Sequence, residues 1–139
     1  MREVARLLKA CRGAALFIDY GYEGPAAGDT LQAVREHKFV SPLDYIGAAD
    51  LTAHVDFAAL QKAAGEEGVS IRGPAGQGDF LRRLGIIERA DVLLKGAQDS
   101  KQRNAVVAAL TRLTVPEQMG RLFQAVALCH DDSLRPEGF

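Results

Sequence analysis

Three side chains lie close enough in the chain to share chemistry: Asp50, His54 and Asp56. If a helix begins early enough, an aspartate four residues from a histidine shares one of its faces, and the carboxylate can then orient the imidazole as a base. Adding Asp56 makes a metal ligand set conceivable. The stronger reading is structural, because Asp50, Thr52 and Asp56 can each satisfy the free amides of a helix's first turn and complement its dipole. Asp19 and Tyr20 form a second candidate group, ending the apolar run Ala14-Ala15-Leu16-Phe17-Ile18. A carboxylate at such a strand tip could hold a guanidinium bidentately or accept its proton. The plainer role is to cap neighbouring backbone amides. His37 stands in a glycine-rich stretch and could line the same cleft, although a solvated loop histidine explains it as well. His130 is followed by Asp131 and Asp132, and a surface ion pair accounts for it. No nucleophile elbow and no paired-cysteine zinc pattern is present, so hydrolase and zinc-module readings have no support.

Those residues must be positioned by ordered elements. Val4, Leu7, Leu8 and Cys11 recur at three- and four-residue steps, which predicts a short helix ended by Gly13. The run Ala14–Ile18 does not alternate, as expected of a strand buried on both faces. Residues 21–49 carry Gly21, Gly24, Pro25, Gly28, Pro42 and Gly47 and read as a long loop with one short extended piece near Thr30–Val34. A helix capped by Asp50 or Thr52 follows, bearing Val55, Phe57, Leu60 and Ala64. Val69-Ser70-Ile71-Arg72 alternates, as an edge strand with one wet face does. Asp79 can cap a short helix closed by Gly85. A further helix near Ala90–Leu94 is expected, then one over Arg103–Leu113 with Val106, Val107, Leu110 and Leu113 inward, and a turn from Pro116 to Gly120. Leu122–Cys129 is a long apolar strand, central in the sheet, and Cys129 in it reads as a small buried hydrophobe. The order of elements predicts an α/β sandwich, in which ligands gather outside the carboxyl ends of strands.

Composition narrows the possibilities. At 139 residues, 47% apolar and 25% charged, the chain is rich enough in apolar residues for one packed core and too rich for disorder. Seventeen basic against eighteen acidic side chains give a net charge of −1, with no basic stripe and no tryptophan. Electrostatic capture of nucleic acid needs clustered Lys and Arg, so no nucleic-acid partner is expected. No apolar run approaches the roughly 20 residues that span a bilayer, and the first residues lack the continuous apolar core of a secretory signal. No membrane association is expected. Two isolated cysteines, Cys11 and Cys129, suggest free thiols in a reducing compartment, and the expected location is the cytoplasm.

The order of words along the chain resembles the MidA-like methyltransferases. The resemblance is carried by Ala15-Leu16-Phe17-Ile18-Asp19-Tyr20-Gly21, Gly28-Asp29-Thr30-Leu31-Gln32-Ala33, His37, and Asp50-Leu51-Thr52-Ala53-His54-Val55-Asp56-Phe57. It continues through Gln77-Gly78-Asp79-Phe80-Leu81-Arg82-Arg83-Leu84-Gly85-Ile86, Arg112-Leu113 and Met119-Gly120-Arg121-Leu122-Phe123, covering the chain from about Gly13 to Val126.

The resemblance implies a class I, Rossmann-like methyltransferase sheet of order 3-2-1-4-5-7-6. On that map Ala14–Asp19 is strand 5, Val69–Arg72 strand 6 and Leu122–Cys129 strand 7, the last antiparallel and lying between the other two. Residues 1–139 would then be the C-terminal segment of a single methyltransferase domain, without its N-terminal cofactor-binding half. The implied activity is S-adenosylmethionine-dependent protein (arginine) methylation linked to respiratory complex I assembly, with this segment as the substrate-side wall. Asp19 and His54 are then the expected catalytic residues, and Tyr20, His37, Asp50 and Asp56 the expected substrate-binding ones. The substrate would be a protein, a complex I subunit being one candidate. Methyl transfer from a sulfonium needs no metal, and none is expected. The glycines of Gly73-Pro74-Ala75-Gly76-Gln77-Gly78 follow an edge strand, where the family has no cofactor site, so S-adenosylmethionine is assigned to the full-length parent and no cofactor to this segment alone. The alternative function is a non-catalytic α/β interaction module. Without a neighbouring strand 4, the edge beside Leu16, Phe17 and Ile18 is open, and the isolated segment is expected to self-associate through residues 14–19.

Overall fold

The computed structural model describes residues 1–24 and 28–139. Pro25, read above as loop punctuation, lies outside the described residues. The framework is a four-stranded mixed sheet. Its longest strand, β1 (Ala14–Tyr22), pairs along seven residues with β7 (Phe123–Cys129), from Ala14 opposite Cys129 to Tyr20 opposite Phe123. On its other side β7 pairs with β6 (Ser70–Gly76), and both pairings are antiparallel. The short β5 (Val55–Asp56) adds to the far side of β1 in parallel, at Gly21 and Tyr22 only, giving the order β5-β1-β7-β6. The last strand therefore lies between the first and β6, as expected. Its residues explain why: Ala125, Val126, Ala127, Leu128 and Cys129 are all buried, and only a central strand with both faces covered suits so apolar a run. Burial pushes the Cys129 thiol up, keeping it protonated and inert.

One face of the sheet is covered by two helices, α1 (Arg2–Cys11) and α2 (Phe57–Gly65). Ala5, Leu8, Phe57, Ala64, Val126 and Leu128 form the buried centre, joined by Ala15 and Phe17 of β1. The apolar stripe of α1 is shifted from the expected one: Ala5 and Leu8 face inward, whereas Leu7 and Cys11 are exposed. Alanine carries little weight in a hydrophobic pattern, and Ala5 was invisible as a core position for that reason. Outside the core, Arg6 grips the Glu67 carboxylate with two nitrogens, at 2.9 and 2.7 Å, and holds it below the usual carboxylate range.

The second face is more open. Leu16 is 52% and Ile18 44% exposed, so β1 is not buried on both faces as its composition suggested. An unbroken apolar run records that both faces can be covered; among the described residues only part of this face is. Phe80 of α3 (Gln77–Arg83) and Phe139 pack together at 5.1 Å and border Leu16 and Ala127. The tail is tied back by Arg72, which reaches the Asp132 carboxylate at 2.7 Å and holds it below its ordinary value, with help from Ser70. The helices α4 (Ile86–Gly96) and α5 (Ser100–Thr114, capped by Asp99) form a hairpin beyond α3, and the π-turn Pro116–Gly120 leads from it into β7. Val107, expected to face inward, is half exposed. No helix among the described residues is long and apolar enough to cross a membrane.

Two expectations are corrected. The long loop over residues 21–49 contains real structure: β2 (Gln32–Arg35) and β3 (Lys38–Val40) form a hairpin, and β4 (Asp50–Thr52) pairs with β2 to complete a three-stranded sheet. Its turn residues, Glu36 and His37, have φ of 50° and 62°. A two-residue turn of that hand favours Asn-Gly, and Glu-His in its place hides the hairpin from a sequence reading. The second correction concerns α2, which starts at Phe57 with Asp56 as its cap. Asp50 and Thr52 are strand residues, so Asp50 and His54 do not share a helical face.

β5 approaches β1 closely at Gly21. A Cβ on Gly21 would lie 2.1 Å from the Val55 carbonyl oxygen and 2.8 Å from the Phe57 ring. Gly21→Ala should cost about 1–3 kcal/mol through overpacking against backbone that cannot retreat, which denaturant unfolding of wild type and variant will measure.

Candidate functional site

The candidate residues converge on the carboxyl end of β1. The peptide leaving β4 turns there into β5, and the Tyr20 and His54 rings meet edge to face, 5.5 Å between centroids at 83°. Phe123, the first residue of β7, packs on the other side of Tyr20 at 5.4 Å. The backbone of His54 is held by the Thr30 hydroxyl, which accepts from its amide at 3.2 Å. The imidazole thus has a defined place beside a phenol, and both rings can present polar tips while their bodies pack on apolar surface.

Asp19 is not part of that ring cluster. Successive residues of a strand point to opposite faces, and Asp19 pairs with Gln124, on the face that carries Phe17 and Val126. One of its oxygens accepts from the Tyr20 amide at 2.8 Å. The structure therefore places Asp19 and His54 on opposite sides of the same strand end, with Tyr20 beside His54. Asp56 accepts from the Ala59 amide at 2.9 Å as the cap of α2. Asp50 lies exposed in β4 opposite Val34, and His37 is exposed at the tip of the β2–β3 hairpin. Asp50 and His37 belong to the small sheet rather than to the β1 terminus. Among the described residues no group of three or more His, Cys, Asp or Glu side chains could hold a metal ion. His130 pairs with Asp131 at 2.6 Å, while Asp132 takes Arg72.

One polar residue went unnoticed in the sequence. Gln124 is buried at 8% exposure, and its Nε2 donates to the Arg121 carbonyl at 3.0 Å. Its Oε1 has no partner. The signal was available, since Gln124 is the only polar side chain in the run Phe123–Cys129. The Gly-rich segment, in turn, offers no open cradle. A Cβ on Gly76 would lie 3.1 Å from the Gly120 carbonyl, and one on Gly78 2.4 Å from the Thr114 carbonyl. These glycines admit the protein's own backbone, so the segment does not fit S-adenosylmethionine.

A mixed sheet whose last strand is inserted antiparallel beside the strand that carries the site, with helices on its faces, defines a class I methyltransferase fold. Residues 1–75 match a family of S-adenosyl-L-methionine-dependent methyltransferases, and the chain belongs to it. It is 40% identical over 112 residues to the zebrafish (Danio rerio) protein arginine methyltransferase NDUFAF7, mitochondrial, covering 81% of this chain and 26% of that protein. The human protein of the same name is 35% identical over 128 residues, covering 92% and 29%. A solved structure of a Burkholderia thailandensis protein bound to S-adenosyl-homocysteine superposes with a TM-score of 0.79 at 30% identity, covering 92% of this chain and 35% of that one. The chain thus spans less than a third of the length of these two curated relatives. Their names overturn the cytoplasmic expectation, since both are mitochondrial proteins. Free thiols report a reducing environment and do not distinguish one such compartment from another.

The capping role of Asp56 can be separated from a substrate role. Asp56→Ala should lower stability by about 1 kcal/mol and Asp56→Asn by little, since asparagine caps nearly as well. Thermal unfolding reads the cap, and a loss of turnover in the Asn variant alone would mark a second function.

Proposed function

We propose that this chain is the C-terminal, substrate-facing segment of an S-adenosylmethionine-dependent protein arginine methyltransferase that serves respiratory complex I assembly. The observation that carries the reading is the end of β1, where a carboxylate and a phenol–imidazole pair flank one strand tip in a fold of methyltransferase type. In open α/β sheets the carboxyl ends of strands are where ligands bind. Support comes also from the relatives named as protein arginine methyltransferases and from the family match. In this reading the cofactor is held by the part of the protein that lies beyond the span of this chain, and the substrate is a protein, a complex I subunit being the first to test.

The roles follow from the side chains. Asp19 keeps one oxygen on the Tyr20 amide, and the other is free to accept an N–H of a guanidinium. That bond fixes the substrate nitrogen and draws its positive charge. On the other face of the strand tip, His54, whose backbone amide donates to the Thr30 hydroxyl and whose ring packs on Tyr20, is the group that takes up a proton as the nitrogen is alkylated. In the full-length protein, Asp19→Asn and His54→Ala should each lower turnover by about 10²-fold and leave cofactor affinity within about twofold. Steady-state kinetics and calorimetry check the two halves separately; normal turnover with weakened cofactor binding would assign the residue to the other ligand.

The open side of β1 supports a second, narrower proposal. From Ala14 to Tyr20 its outer edge pairs with no strand among the described residues, and Leu16 and Ile18 stay exposed beside it. Natural edges carry charge, proline or a bulge, and Ala14–Ile18 has none. The chain by itself should therefore associate through this strand. Sedimentation at increasing concentration checks it, and a strictly monomeric species to about millimolar, near the effective concentration of linked modules, would remove the proposal.

A further inference from the structure

We infer that Gln124, with Glu23 beside it in the same cavity, forms the acceptor set that selects a guanidinium group. The inference deepens the methyltransferase reading and rests on it for the identity of the guest.

Gln124 lines a cavity of about 380 Å³ at the end of the sheet, shared with Glu23, Asp79, Arg82 and Arg121. Its amide cannot turn over to hide the lone oxygen. The Arg121 carbonyl requires a donor, so nitrogen must face it and Oε1 is left without one. A buried acceptor without a partner is uncommon, and a ligand that brings the donor is one reason to keep it. Across the ladder stands Asp19, the direct partner of Gln124. Directly opposed residues of an antiparallel pair put their side chains on one face with Cβ atoms about 4.5–5.5 Å apart. Asp19 is thus the neighbour of Gln124 on that face, but it lies exposed and outside the lining of the cavity, where the acceptor beside Gln124 is Glu23. A guanidinium, with five N–H donors in one plane, can bridge Gln124 Oε1 and the Glu23 carboxylate.

The charges around the cavity sharpen this choice. Asp79 is taken by Arg82 at 3.2 Å, and Arg82 also donates to the Thr114 carbonyl, so this pair is closed on itself. Glu23 has no ion-pair partner among the described residues. Arg121 offsets the charge of Glu23, so the cavity does not attract cations by net charge. Discrimination then falls to the fixed acceptors. The cavity floor is close-packed backbone, since a Cβ on Gly76 would lie 3.1 Å from the Gly120 carbonyl and one on Gly120 2.3 Å from the Thr114 carbonyl.

The test titrates Nα-acetyl-arginine amide into the full-length protein carrying nitrogen-labelled glutamine, and follows the Gln124 side-chain amide. A saturable shift is expected. Gln124→Leu and Glu23→Gln should each weaken binding by about tenfold, the size of one hydrogen bond to a charged group. The neutral citrulline analogue should bind at least about tenfold more weakly than the arginine probe. Glu23 is exposed, so its variant answers the question even if Gln124→Leu disturbs the sheet. Equal affinity in both variants, or binding of the citrulline analogue or of Nα-acetyl-glutamate amide as tight as that of the arginine probe, overturns the inference. Arginine-peptide methylation with no shift at Gln124 overturns the site and leaves the methyltransferase reading standing. A shift without methyl transfer to any arginine supports the site and removes that reading.

Discussion

The antiparallel ladder between β1 and β7 is the constraint on which the rest depends. It fixes every β1 residue from Ala14 to Tyr20 against a partner in β7, and a slip of one residue would turn each side chain to the other face. With the register as it stands, Phe17 and Val126 meet α1 and α2, while Tyr20 meets Phe123 on the opposite side. The positions of Asp19 and Gln124 follow from the same count. The chemistry at the strand end is thus inherited from the packing of the core a few residues away.

The same strand end divides its polar groups between two faces. Tyr20 and His54 sit on one side, and Asp19 and Gln124 on the other. The close contact of Gly21 with Val55 keeps β5, and with it His54, at the tip. Backbone proximity is therefore what brings His54 to the strand end that carries Tyr20.

Much of this arrangement is legible in the sequence. The apolar runs at Ala14–Ile18 and Leu122–Cys129 give the two principal strands, and the alternation at Val69–Arg72 gives the edge. What escapes is short or depends on partners. Strands of three or four residues carry too little pattern to stand out from a loop, and the Glu36-His37 turn lacks the glycine that would announce it. Asp50 and His54 look like helix neighbours because spacing alone does not say where the helix begins; the pairing of β4 with β2 decides that. Gln124 matters through an unmet hydrogen bond, which exists only once Arg121 and the strand are in place. Leu16 and Ile18 show the converse, for their apolar character is plain and their exposure is not.

The position of β7 also has a consequence for the order of events during synthesis. β1 leaves the ribosome well before the strand that completes its ladder, which lies about a hundred residues further on. Until that stretch is released, β1 has only the short contact with β5 for a strand neighbour among the described residues. Its apolar side chains must wait while α3, α4 and α5 form from local contacts. Extended apolar segments left waiting in this way are open to non-native pairing, and shortening the chain by even the last strand removes the closing step altogether.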